Sequence, residues 1–161
     1  MLLKDIYPKL NNKYKNIKFK GISFDSRNIK KNFIFFALKG NNIDGNKYIN
    51  EAIKKGSKII ISKNCNNGFK EKILYLKNDN PRKLLADFAV KLNNKKPNNL
   101  VAVTGTNGKS SIANFYYQIL KKNKIKAASI GTLGVNGIGF KDKNTNTTFD
   151  TIQINKLLKA I

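Results

Sequence analysis

The sequence predicts an α/β layer structure in two parts, and three observations carry that expectation. Up to about Pro97, short apolar runs that read as strands alternate with segments of helical periodicity. A polar, aperiodic stretch from Asn93 to Asn99 then interrupts the pattern. Beyond it the alternation resumes around a glycine-rich loop set between an apolar run and a helix.

Taken in order, Ile22 to Phe24 and Phe33 to Leu38 read as strands, the second nearly unbroken in its apolarity, as in a sheet buried on both faces. Lys39 to Gly45 is rich in turn formers. Tyr48, Ile49, Ala52 and Ile53 recur at helical spacing and stop at Gly56. Lys58 to Ser62 and Ile73 to Leu76 are further strands, with a loop from Asn64 to Gly68 between them. Pro81 to Leu92 is a helix with proline in its first turn. The stretch from Asn93 to Asn99 is the expected hinge, which divides the chain into residues 1–95 and 96–161. After it, Leu100 to Thr104 reads as a strand, Lys109 to Lys122 as a helix and Lys126 to Ile130 as a second strand. A glycine-rich segment runs from Gly131 to Gly139, and an apolar helix capped by Asp150 closes the chain.

Composition narrows the function classes. The 161 residues are 40% hydrophobic and 25% charged, close to ordinary globular usage. No window approaches the ~20 apolar residues of a spanning helix. No leader pattern is read at the start, and Cys65, the single cysteine, cannot form an internal disulfide. A soluble, cytoplasmic, monomeric protein with no membrane partner is the expectation. The formal net charge of +23 invites a nucleic-acid reading. Its distribution argues otherwise, because lysine is scattered along the whole length and arginine, the better bidentate reader of phosphate and guanine, occurs only as Arg27 and Arg82. No aromatic and basic interleaving suited to stacking bases is present, so no nucleic-acid partner is expected.

The most informative segment is Thr104-Gly105-Thr106-Asn107-Gly108-Lys109-Ser110-Ser111, which follows Leu100-Val101-Ala102-Val103 and opens a helix with Ile112, Phe115, Ile119 and Leu120 on one face. Glycines let successive amides turn inward, and the helix start adds its positive dipole end, which together make an anion cradle. Lys109 would neutralise the β- and γ-phosphates of a triphosphate, and Ser110 would place its hydroxyl on Mg²⁺. The usual phosphate-loop signature has glycine where Val103 stands, so the match is to a variant form.

That variant resembles the ATP loop of the Mur ligases, whose usual form ends Lys-Thr-Thr, and folylpolyglutamate synthases carry a near relative. Phe24-Asp25-Ser26-Arg27, followed by Phe33 to Gly40 and by Asp44-Gly45, resembles the N-terminal substrate domain of Mur ligases, which the synthases lack. Ile130-Gly131-Thr132-Leu133-Gly134 and Asn146-Thr147-Thr148 resemble the branch that adds the third residue of the peptide. The resemblance spans nearly the whole chain.

It implies a small N-terminal domain over residues 1–95 that binds a UDP-sugar, then the beginning of a P-loop ATPase-like central domain over residues 96–161. It also implies ATP and Mg²⁺ as cofactors. By position, Ser26, Asn41, Asn42 and Ile43 would contact the UDP-sugar. Gly105, Thr106, Asn107, Gly108, Lys109, Ser110 and Ser111 would hold ATP, with Lys109 catalytic and Ser110 on the metal. Asn146, Thr147 and Thr148 would meet the muramoyl-peptide end, although Phe149 stands where the family usually has proline. The implied reaction activates the terminal carboxylate of a UDP-muramoyl dipeptide as an acyl phosphate, which the amine of diaminopimelate or lysine attacks.

Read on its own, Asp25-Ser26-Arg27 is a turn with an Asx or serine cap. Asp79-Asn80-Pro81-Arg82 spells the tetrad by which diaminopimelate-adding members select their amino acid, but in the family it lies in a C-terminal domain. Here it is expected only to start a helix. The family's remaining magnesium ligands, modified lysine and amino-acid domain would lie beyond Ile161, so this chain is not expected to ligate alone. A basic nucleic-acid-binding module and a non-catalytic nucleotide-binding remnant are the competing readings.

Overall fold

A computed structural model describes residues 1–8, 10–41, 43–137 and 149–161. The chain separates into two compact units, Met1–Leu92 and Asn93–Ile161.

The first unit contains α1 (Leu3–Ile6), β1 (Gly21–Ser23), β2 (Phe33–Ala37), α2 (Ile49–Lys54), β3 (Ile59–Ser62), β4 (Gly68–Lys70), β5 (Ile73–Lys77) and α3 (Pro81–Leu92). The strands form one sheet in the order β1-β2-β3-β5-β4. Its first four are mutually parallel, and β4 runs antiparallel to β5 at the edge. The mixed, mainly parallel α/β architecture expected from the alternating pattern is therefore present.

Register decides which side chains share a face. Phe35 lies beside Ile60 and Ile60 beside Tyr75, and this face packs with Ile29, Ala37 and Ala52 against the Ile49 and Ile53 side of α2. On the opposite face Ile34, Ile59 and Leu74 form one row and Phe36, Ile61 and Leu76 the next. There Phe88 of α3 meets Phe36 edge-on at 5.5 Å, and Phe19 and Tyr7 stand at 6.0 and 6.3 Å from the same ring. Each fully buried aromatic or branched side chain contributes roughly 1.5–3 kcal/mol. The continuous apolarity of β2 and β3 is thus the direct signature of a sheet covered on both sides.

In the second unit are α4 (Lys109–Lys122), β6 (Ser129–Gly131), β7 (Gly134–Asn136) and α5 (Thr151–Ala160). Two expectations are corrected. Residues 100–104 form no strand, and Leu100 and Val101 are 68% and 60% exposed. A strand is stabilised by a neighbouring strand, and among the described residues none pairs with this segment. The expected strand from Lys126 to Ile130 shifts to β6, which pairs antiparallel with β7 through a turn at Thr132-Leu133. The glycines at both ends of that turn, Gly131 and Gly134, favour a hairpin over a longer strand. The closing helix is as expected: Asp150 accepts from Ile152 N and Gln153 N at 2.8 Å, and the Gln153 side chain returns to Asp150 N.

Candidate functional site

In the second unit the phosphate-loop segment is exposed throughout and ends in the first turn of α4. Gly105 has φ 148° and Gly108 φ 75°, backbone conformations that side-chain-bearing residues rarely adopt. The start of α4 has no side-chain cap. In contrast, Asn80 caps α3 through Lys83 N, and Asp150 caps α5. A helix start left uncapped keeps its amides and the positive end of its dipole free for an anion.

Lys109 folds back over this loop, donating to the carbonyl of Gly105 and, at 3.0 Å, to that of Thr106. The ammonium has three protons, so its charge is held at the mouth of the cradle with donor capacity left over. Ser110 lies one residue further along α4, and its hydroxyl is 2.8 Å from that of Thr132 in the β6–β7 turn. These groups fit a nucleotide phosphate chain. For Mg²⁺ they supply one hydroxyl oxygen, and among the described residues no cluster of three or more Asp, Glu, His or Cys could hold a metal. An ion carried by phosphate oxygens and water needs few protein ligands.

In the first unit the predicted contacts sit at the carboxyl ends of β1 and β2, neighbours in the sheet. Asp25 accepts from Arg27 N at 2.9 Å and pairs with the Arg27 side chain at 2.8 Å, making the capped turn that the residues alone suggest. The Arg27 guanidinium holds the Asp25 carboxyl below its usual range. Ser26 is buried at 5% exposure, and its hydroxyl donates to Glu51 at 2.8 Å. Glu51 also pairs with Lys55, and the Lys55 and Ser26 hydrogen bonds lower its carboxyl.

Asn41 and Ile43 are exposed on the loop after β2, Ile43 at 62%, while Asn42 falls outside the described residues. In this loop Gly40 N bonds Ile43 O and Gly45 N bonds Leu38 O, both at 2.8 Å. Beneath it runs a polar chain: Ser62 donates to Asn46 at 2.7 Å, and Asn46 donates to Asp44 at 2.6 Å. Hydrogen bonds from the Asn46 amide and side chain lower the Asp44 carboxyl. A cavity of about 230 Å³ opens beside this loop, lined by Lys39, Asn46, Lys63, Asn64, Asp79 and Arg82 among others. Pro81 does open α3. The segment Asn146-Thr147-Thr148 falls outside the described residues.

Sequence reasoning did not find Glu51 or Ser62, and it picked out Thr132 only within the Ile130 to Gly134 segment, without its contact to Ser110. The one available signal was Ser62, a polar residue closing the isoleucine run of β3; the other two contacts join positions 25 and 22 residues apart.

Residues 18–92 match a family model described as the Mur ligase family catalytic domain, and residues 103–161 match one described as the Mur ligase middle domain. The chain belongs to the Mur ligase family. A UDP-N-acetylmuramoyl-L-alanyl-D-glutamate--2,6-diaminopimelate ligase of Rickettsia prowazekii is 40% identical over 152 residues, covering 92% of this chain and 31% of that one. A ligase of the same name from Mesorhizobium japonicum is 37% identical over 146 residues, covering 91% and 30%. The chain thus spans about a third of the length of these Mur ligases. The solved structure of a UDP-N-acetylmuramoyl-L-alanyl-D-glutamate--2,6-diaminopimelate ligase superposes with a TM-score of 0.78 at 24% identity, over 99% of this chain and 33% of that one, which shows a shared fold. Among the described residues of this Mur ligase chain, no helix is long and apolar enough to cross a membrane.

Proposed function

We propose that the chain carries the nucleotide-binding and UDP-sugar-binding parts of a cytoplasmic, ATP-dependent ligase of peptidoglycan precursor synthesis. The incoming residue is diaminopimelate, the amino acid in the names of both relatives. The observation that carries the reading is the uncapped start of α4 with Lys109 folded over Gly105 and Thr106.

The activated group is the terminal carboxylate of UDP-muramoyl-L-alanyl-D-glutamate. A carboxylate oxygen takes the γ-phosphoryl group, ADP leaves, and the amine attacks the carbonyl of the acyl phosphate to give an amide and inorganic phosphate. Catalysis of such a transfer is largely positioning and charge neutralisation. Here the loop amides and Lys109 hold the phosphates, and Lys109 offsets the charge that builds on the transferred group. The Ser110 hydroxyl would hold Mg²⁺, and the ion would supply further charge neutralisation. In the first unit Ser26, Asn41, Asn42 and Ile43 contact the UDP-sugar, with Glu51 holding the Ser26 hydroxyl. Asn146, Thr147 and Thr148 meet the peptide end of that substrate.

Titration calorimetry with ATP and Mg²⁺ tests the reading. Lys109→Ala is expected to weaken ATP binding at least ~10-fold, the loss of one or more charge-assisted hydrogen bonds, while circular dichroism shows an unchanged fold. Equal ATP affinity in variant and parent would remove the phosphate loop from the account.

A further inference from the structure

We propose that Thr132 is the positioning residue for the metal-binding hydroxyl of Ser110, an inference that rests on the phosphate-loop reading of residues 104–111. The two hydroxyl oxygens are 2.8 Å apart, and either can act as donor. They come from different elements. Ser110 lies in the first turn of α4, while Thr132 sits in the two-residue turn between Gly131 and Gly134, which face each other across the hairpin. Gly134 has φ 88°, so the turn that presents Thr132 depends on a glycine.

A serine hydroxyl has one proton and two lone pairs, and it rotates among staggered positions unless a partner selects one. When the oxygen donates a lone pair to a cation, its proton must point away from the charge and becomes a stronger donor. An acceptor at hydrogen-bond distance then fixes the hydroxyl in the ligating orientation. Thr132 Oγ1 is that acceptor. Metal binding therefore sets the direction of the pair: Ser110 donates, Thr132 accepts, and the Thr132 proton is left for water or a phosphate oxygen. A residue without an acceptor in place of Thr132 would leave the Ser110 proton facing solvent, with its orientation unselected.

The test uses the whole 161-residue chain and ATP calorimetry with Mg²⁺ and with EDTA, comparing parent, Thr132→Val and Thr132→Ser. Valine matches threonine in shape without the hydroxyl, and serine restores the hydroxyl. The parent is expected to bind more tightly with Mg²⁺ than with EDTA. Thr132→Val is expected to lose about tenfold of that magnesium-dependent gain, the effect of one hydrogen bond to a charge-bearing group, with unchanged affinity in EDTA. Thr132→Ser recovers it. Retention of the full magnesium-dependent gain in Thr132→Val overturns the proposal, as does an equal loss in EDTA, which would mark a general distortion of the loop. A parent chain that binds ATP in neither condition overturns the phosphate-loop reading itself and this inference with it.

Discussion

In Met1–Leu92 most of the large apolar side chains lie inside, whereas in Asn93–Ile161 many lie outside. Phe35, Phe36 and Phe88 are fully buried in the first unit, while Ile112, Phe115 and Ile119 on one face of α4 are 56%, 62% and 58% exposed. The cause is the surface each sheet offers. Among the described residues, five strands of the first unit present two broad faces that α2 and α3 cover, whereas the second unit offers only the β6–β7 hairpin beside a helix of fourteen residues, in a chain that spans about a third of its relatives' length. Packing therefore holds the first unit together. The phosphate loop owes its form to local causes instead: two glycines, an uncapped helix start and one lysine.

The sharpest way to break this comparison is a matched pair of truncations. Phe88→Ala removes the ring that Phe36, Phe19 and Tyr7 surround, and is expected to cost about 3–5 kcal/mol in urea unfolding followed by circular dichroism. Phe115→Ala on α4 is expected to change stability by less than about 0.5 kcal/mol. Similar losses at the two sites would show that α4 is as well packed as α3.

A smaller effect is expected at Gly45. A Cβ there would stand 2.6 Å from Leu38 O and 2.7 Å from Leu38 N, both backbone atoms that cannot turn aside. Gly45→Ala should cost roughly 1–3 kcal/mol as an overpacked site and displace the neighbouring residues Asn41 and Ile43. UDP-sugar affinity should fall while ATP affinity stays at the parent value; a parallel loss of both would tie the two sites together.

The smallest effect comes from acid. Asp25, Asp44 and Glu51, all in the first unit, have carboxyls lowered by Arg27, Asn46 and Lys55 in turn. The unfolded chain, with carboxyls near ~4, binds their protons more tightly than the folded one. Their stabilisation is present above that pH and is lost as pH falls through the folded values. The urea midpoint of the first unit should drop in that window, and Asp25→Asn should flatten part of the drop. A midpoint that holds constant down to strong acid would count against these contacts.

Much of the first unit was legible because burial on both faces writes itself as unbroken apolar runs, as in Phe33 to Ala37 and Ile59 to Ile61. The helix from Pro81 to Leu92 was legible from its proline start and periodicity. Edge strand β4 was not, since it has three residues and its Phe69 is 54% exposed. Leu100 to Val103 misled for the opposite reason: strand-like composition does not make a strand without a neighbour. At the candidate site, local backbone chemistry could be read from Gly105 to Ser111. The partners of Ser26 and Ser110 could not, because those hydrogen bonds depend on the fold to bring distant residues together.

The lysine clasped to its own loop changes what a ligand has to do. With its ammonium on the Gly105 and Thr106 carbonyls, the cradle is internally latched, and an arriving anion must offer more than that amine already has. On the proposed reading, a polyphosphate chain would have to draw the lysine from those carbonyls as it met the loop amides and the Ser110 hydroxyl. In a chain with net charge +23, where anions are attracted everywhere, such a contact would give the proposed site a way to separate mere attraction from recognition.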